Sequence, residues 1–336
     1  MIFSKILFKV NSLPTTLSIS QAFQRNPSLI SQSFYTYQMN QLAKLSNETL
    51  ISLVKRKQWD AIINKCRACS SAEYLHREST NFNRTALSLV LTLKPPIEVV
   101  RAFVSHEAFG EALYTRDTYC DYLPIHCAVR YRASSDIVSL LIRSVDASAN
   151  MLEITDRNMM TPLHIACNFG YSPRVINALV RGNPGVLKLE AKTRKTPLML
   201  ACGCKMTKPS TIKTLLAHPT RTVTGSMPNT RSCGEWTPLH LAVLHNGSLE
   251  IIQLLCDAYP EACFQKTVTS NQTPLGLYRS GHGENAEIIE LLLSPTSRKC
   301  GRYYPGVIHQ VLSFPQFIPG LLEFVLDNFA THAQIR

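Results

Sequence analysis

A short string of residues, Thr161-Pro162-Leu163-His164-Ile165-Ala166, returns as Thr237-Pro238-Leu239-His240-Leu241-Ala242. Weaker copies stand at Leu123-Pro124-Ile125-His126-Cys127-Ala128, Thr196-Pro197-Leu198-Met199-Leu200-Ala201 and Thr273-Pro274-Leu275-Gly276-Leu277. Prolines 124, 162, 197, 238 and 274 are 38, 35, 41 and 36 residues apart. A degenerate copy at Thr85-Ala86-Leu87 puts Ala86 another 38 residues earlier. A second motif keeps step with the first. Glu250-Ile251-Ile252-Gln253-Leu254-Leu255 begins 12 residues after Pro238, and Arg174-Val175-Ile176 begins 12 after Pro162. Asp136-Ile137-Val138 and Glu98-Val99-Val100 hold the same offset from Pro124 and Ala86. Two motifs locked in register at a fixed period mark a repeat array.

Each unit has a physical reading. Thr before Pro supplies an N-cap oxygen, and Pro at the first helical position loses no hydrogen bond because that N–H would be orphaned anyway. Leu followed three residues later by Ala makes a short helix with one apolar stripe. After a turn, paired residues such as Ile251-Ile252 and Leu254-Leu255 make a second helix with one buried face. Neither helix can bury its face alone, so the units must stack. The expectation is an all-α solenoid of helix–turn–helix units with almost no sheet. Leu163, Ala166, Leu179, Leu239, Ala242 and Leu255 should lie between units.

Composition limits what such an array can do. The chain has 336 residues and eleven cysteines, too sparse for a disulfide scaffold. Several lie in apolar helical runs, where a reduced thiol acts as a small hydrophobe. Cys66-x-x-Cys69 and Cys202-x-Cys204 are half-sites for zinc with no matching second pair, so no metal is expected. His126, His164 and His240 recur at one motif position, which reads as structure and not as catalysis. No phosphate-cradling Gly-rich loop, His-Glu-x-x-His or Gly-x-Ser-x-Gly occurs, so no enzyme is expected. No stretch reaches the ~20 apolar residues of a membrane span. The net charge of +12 is spread out, its densest cluster being Lys55-Arg56-Lys57. That pattern suits an acidic protein partner better than a nucleic acid, and a nucleic-acid- or chromatin-associated factor is the alternative.

The ends differ from the middle. No Asp or Glu precedes Glu48, and the Ser-rich opening carries Lys5, Lys9, Arg25 and Lys44. Residues 1–46 read as a disordered leader or a transit peptide. Residues 47–299 read as the repeat domain of about six to seven units, and 300–336 as a helical cap. The expected compartment is the cytoplasm, with a mitochondrion or other organelle as the alternative through the leader.

The Thr-Pro-Leu-His-x-Ala string at a period in the thirties resembles the ankyrin repeat, over roughly residues 47–295. Units here run 35 to 41 residues where 33 is usual. The surplus falls after the second helix, at Asn183-Pro184-Gly185-Val186 and Tyr259-Pro260-Glu261-Ala262, which predicts longer connecting fingers. The glycine two places before Thr-Pro is replaced by Met159, Arg194 and Glu235, which predicts looser finger turns. The resemblance implies protein recognition without catalysis or cofactor, through a concave face of fingers and first helices, by an adaptor or scaffold. It places Tyr122, Arg130 and Tyr131 on that face, then Arg157, Met160, Asn168 and Phe169, then Lys192 and Lys195. Trp236, Leu244 and His245 complete it. Aromatics, Arg and Met are the types enriched in interface cores, and the cations fit a partner with an acidic surface.

Overall fold

The computed structural model describes residues 48–79, 82–144, 150–217, 236–268, 270–281 and 285–293. The expected leader (1–46) and C-terminal cap (300–336) lie outside the described residues. The chain enters through α1 (Leu50–Lys55) and α2 (Trp59–Ala68), then α3 (Ser71–Tyr74). A two-residue antiparallel pair follows, β1 (Arg77–Glu78) with β2 (Arg84–Thr85), in the register Arg77 to Thr85. Next come α4 (Ala86–Thr92), α5 (Ile97–Val104) and the short α6 (Phe109–Leu113). Five further pairs complete the array. They are α7 (Pro124–Arg130) with α8 (Ser135–Arg143), α9 (Pro162–Asn168) with α10 (Pro173–Gly182), and α11 (Pro197–Gly203) with α12 (Pro209–Ala217). The last two are α13 (Pro238–Leu244) with α14 (Leu249–Ala258), and α15 (Pro274–Ser280) with α16 (Ala286–Leu293).

These helices pack as two parallel rows. First helices touch in the order α1, α4, α7, α9, α11, α13, α15, and second helices in the order α2, α5, α8, α10, α12, α14, α16. That is seven units among the described residues, and an all-α solenoid apart from the one short strand pair. Leu163, Ala166, Leu179, Leu239, Ala242 and Leu255 are all buried between units, as expected. In α14 the buried residues are Ile251, Ile252, Leu255 and Cys256, one stripe of a helix of period 3.6.

The caps explain where each first helix begins. Thr49, Thr85, Thr161, Thr196, Thr237 and Thr273 each accept the N–H three residues on, at 3.2–3.4 Å. Leu123 lacks the oxygen, and there the His126 ring nitrogen Nδ1 accepts the Leu123 N–H at 3.2 Å. His164 and His240 go further. Each meets its Thr hydroxyl through Nδ1 (2.8 and 2.7 Å) and a carbonyl 25 residues on through Nε2, that of Leu189 or Gln265. The histidine ties one unit to the connection leading into the next.

Two expectations about the fingers are corrected. The surplus residues do not lengthen the fingers. They wind into 3-10 turns, Pro184–Lys188 and Pro260–Phe264, which pack between their own second helix and the next first helix. Val186, Leu187, Ala262 and Cys263 are buried there, so apolar side chains hold the insert against the core. Nor do the turns loosen without glycine. Met159 and Arg194 adopt the left-handed conformation that glycine would favour, at φ 55° and 58°. Asn83, Asp121 and Asn271 do so at the same register. The turns stay closed, with the Asp156 N–H donating to the Met160 carbonyl and the Ala191 N–H to the Lys195 carbonyl, both at 3.0 Å. Glu235 lies outside the described residues.

Adjacent fingers are also bonded to one another. The Thr118 N–H donates to the Phe82 carbonyl (2.8 Å), Arg157 to Cys120 (3.0 Å) and Lys192 to Asn158 (2.8 Å). Four successive fingers are thereby joined by main-chain bonds.

Candidate partner-binding face

Charge divides the two rows of helices. None of the seven first helices contains Asp or Glu. Their turns carry Lys55-Arg56-Lys57, Lys94, Arg130 to Arg132, Lys205 and His245. Acidic residues sit instead in the first turn of second helices, at Asp60, Glu98, Asp136, Glu250 and Glu287, where the helix dipole favours them.

On the first-helix side the expected residues fall into two clusters. In the first, the Arg130 guanidinium lies 4.3 Å from the Phe169 ring centroid and 5.9 Å from that of Tyr131. Tyr131 is held in turn by Arg84, whose guanidinium is 5.5 Å from its ring and donates to its hydroxyl at 3.3 Å. Arg84 is anchored by a buried ion pair with Asp117 at 2.9 Å. Arg132 donates to the Phe169 carbonyl at 2.7 Å, which fixes the backbone beneath that ring. In the second cluster, His245 packs beside Gly203, and burial, then Lys195 and Lys205, push its pKa below the usual imidazole value. The clusters are contiguous through Gly170, where an added Cβ would lie 2.7 Å from the Met206 Cβ.

The other expected residues stand outside these two clusters. Tyr122, read as a binding residue, is buried and stacks on the His126 ring, so it packs the base of its finger. Arg157 is exposed and paired with Asp121 at 3.2 Å. Trp236 is half-buried against the core, edge-on to His240. Met160 is half-buried, Asn168 and Lys192 are exposed, and Leu244 is 47% exposed.

The structure adds residues that reading the motif missed. Phe82 and Tyr119, 47% and 52% exposed, meet as tilted rings with centroids 4.8 Å apart on neighbouring fingers and extend the Arg84 end of the face. Met206 is 70% exposed beside Lys205 at the turn after α11. Phe82 precedes the most degenerate motif copy. Met206 lies beyond the places counted from the motif alanine, because Gly203 and Cys204 occupy those.

His126 and His164 are unsuited to exchange protons with a substrate. Burial, above all, lowers each to about 4, so both stay neutral cap acceptors near pH 7. Among the described residues no group of three or more His, Cys, Asp or Glu could hold a metal ion. Nor, among them, is any helix long and apolar enough to cross a membrane.

A family model described as ankyrin repeats in three copies matches residues 126–223, and one described as ankyrin repeats in many copies matches 225–277. Residues 126–277 are ankyrin repeats. The array shares its fold with a crystal structure of the ankyrin repeat domain of Bcl-3, described as a unique member of the IkappaB protein family. The TM-score is 0.55 at 19% identity, over 73% of this chain and 98% of that one. At that identity the likeness concerns the fold. Before Pro124 the paired rows of helices continue without a break.

Proposed function

We propose that this chain is a non-enzymatic protein-binding module that acts as an adaptor or scaffold through the first-helix side of its ankyrin array. Ankyrin repeats generally mediate protein–protein interaction. The observation that carries the reading is the continuous strip of half-exposed aromatic and cationic side chains from Tyr131 to His245, set on helix turns free of carboxylates. Arg130, Tyr131 and Phe169 are held against one another and against Arg84, which lowers the ordering cost of binding there. The cytoplasm is the proposed compartment, with a mitochondrion or other organelle as the alternative.

The strip also selects the variants to make. Trp236→Ala would remove packing against the core, so it confounds folding with binding. Arg130→Ala and Lys205→Ala remove strip cations from helix turns without opening the core. Affinity purification from the native cell should recover a protein that the double variant loses, at unchanged helical signal and melting temperature. Equal recovery by the double variant sinks the assignment of this face.

A further inference from the structure

The two clusters differ in chemistry and stand at different units, which constrains what could lie across both. Arg130, on the third unit, holds its guanidinium over the Phe169 ring, 4.3 Å from the centroid, and its fork of N–H groups suits a carboxylate. Lys195 and Lys205, on the fifth, flank His245. Among the described residues no carboxylate pairs with Arg130, Lys195 or Lys205. Between them lie Phe169 and the exposed Met206.

We infer that this strip takes a single extended acidic segment of a protein partner, with two carboxylates bracketing an apolar side chain. The inference rests on the protein-binding reading and adds the chemistry and spacing of the partner. Helices pack at 8–10 Å, so two units separate the cationic clusters by about 16–20 Å. An extended chain advances ~3.3 Å per residue and alternates its faces, so the carboxylates stand about six residues apart on one face, with the apolar residue about two or four places after the first. That residue meets Phe169 and Met206, a ring and a flexible thioether that accept varied apolar shapes.

The test uses the full chain and fluorescent peptides in fluorescence anisotropy. One peptide carries aspartates about six residues apart around a leucine, its isomer has them about two apart, and a third is neutral. A single-stranded oligonucleotide of equal charge is the fourth probe. The spaced peptide is expected to bind about fivefold tighter than its isomer, the worth of one well-placed ion pair near the surface. Arg130→Ala or Lys205→Ala should each erase that difference. Equal binding of the isomers, no binding of any peptide, indifference to both variants, or tighter binding of the oligonucleotide each overturns the inference. Capture of a native protein that still depends on Arg130 would then leave the protein-binding reading standing and reject only the acidic segment.

Discussion

Two buried histidines make the protein sensitive to mild acid. His126 and His164 are held neutral in the fold, with pKa values lowered to about 4. An unfolded chain restores the ordinary imidazole value near 6.5, so it binds protons that the fold refuses. Their contribution is therefore complete above about pH 6.5 and is lost as the pH falls toward 4, roughly 3 kcal/mol for each ring. The urea midpoint should fall steeply over that window, and His164→Gln should flatten the slope. A midpoint level from pH 7 to pH 4 would remove the neutral-cap assignment. Asp156 works in the opposite sense. Burial raises its carboxyl above the usual value while its Oδ1 accepts the Asn158 and Met160 N–H groups at 2.8 Å. Its ionisation thus costs the fold a little as pH rises past the carboxylate range. A third residue, Met159, carries backbone strain. A bulky side chain at φ 55° costs about 1–2 kcal/mol, whereas Asn tolerates that conformation. Met159→Asn should raise the melting temperature by about 2 °C, and a fall would show that the exposed Met side chain contributes more than the strain costs.

At the level of helices and turns, the strongest motif copies marked the best-defined structure. Thr161-Pro162 and Thr237-Pro238 foretold both where α9 and α13 begin and which oxygen caps them. Leu239, read as core, is 1% exposed, and Leu239→Ala should cost roughly 2–5 kcal/mol in denaturant titration. An unchanged midpoint would contradict its packing between α11 and α15. The inserts were harder to read. Pro184 and Pro260 look like loop punctuation, yet each opens a 3-10 turn because Val186-Leu187 and Ala262-Cys263 behind them can be buried. Loop composition says nothing about a groove supplied by the neighbouring unit. The finger turns were misread for a related reason. The absent glycine was visible, but the main-chain bonds that hold Met159 and Arg194 left-handed come from partners across the turn and on adjacent fingers. Counting from the motif puts Arg130, Phe169 and His245 at the ends of first helices, which is where the structure has them. The same counting does not reveal the burial of Tyr122, whose ring stacks on His126 at the finger base.

Among the described residues, the main packing contacts run within units and between neighbouring ones, so stability is distributed along the array and is not concentrated in one core. Leu239→Ala should therefore loosen its own surroundings first. Hydrogen exchange should quicken in α13, α14 and α15 while α7 and α9 keep their protection. Uniform loss of protection would mean that the array unfolds as one unit. The fingers introduce a second, mechanical asymmetry. The main-chain bonds linking Phe82 to Thr118, Cys120 to Arg157 and Asn158 to Lys192 run along one edge. Among the described residues no main-chain bond joins one second helix on the far edge to the next. The fingered edge resists extension like the bound spine of a book, and the other edge opens like its pages. A load that straightens or coils the array would be taken up by fanning of the second helices. The spacing of side chains along the spine, and with it the register offered to a partner, would stay constant.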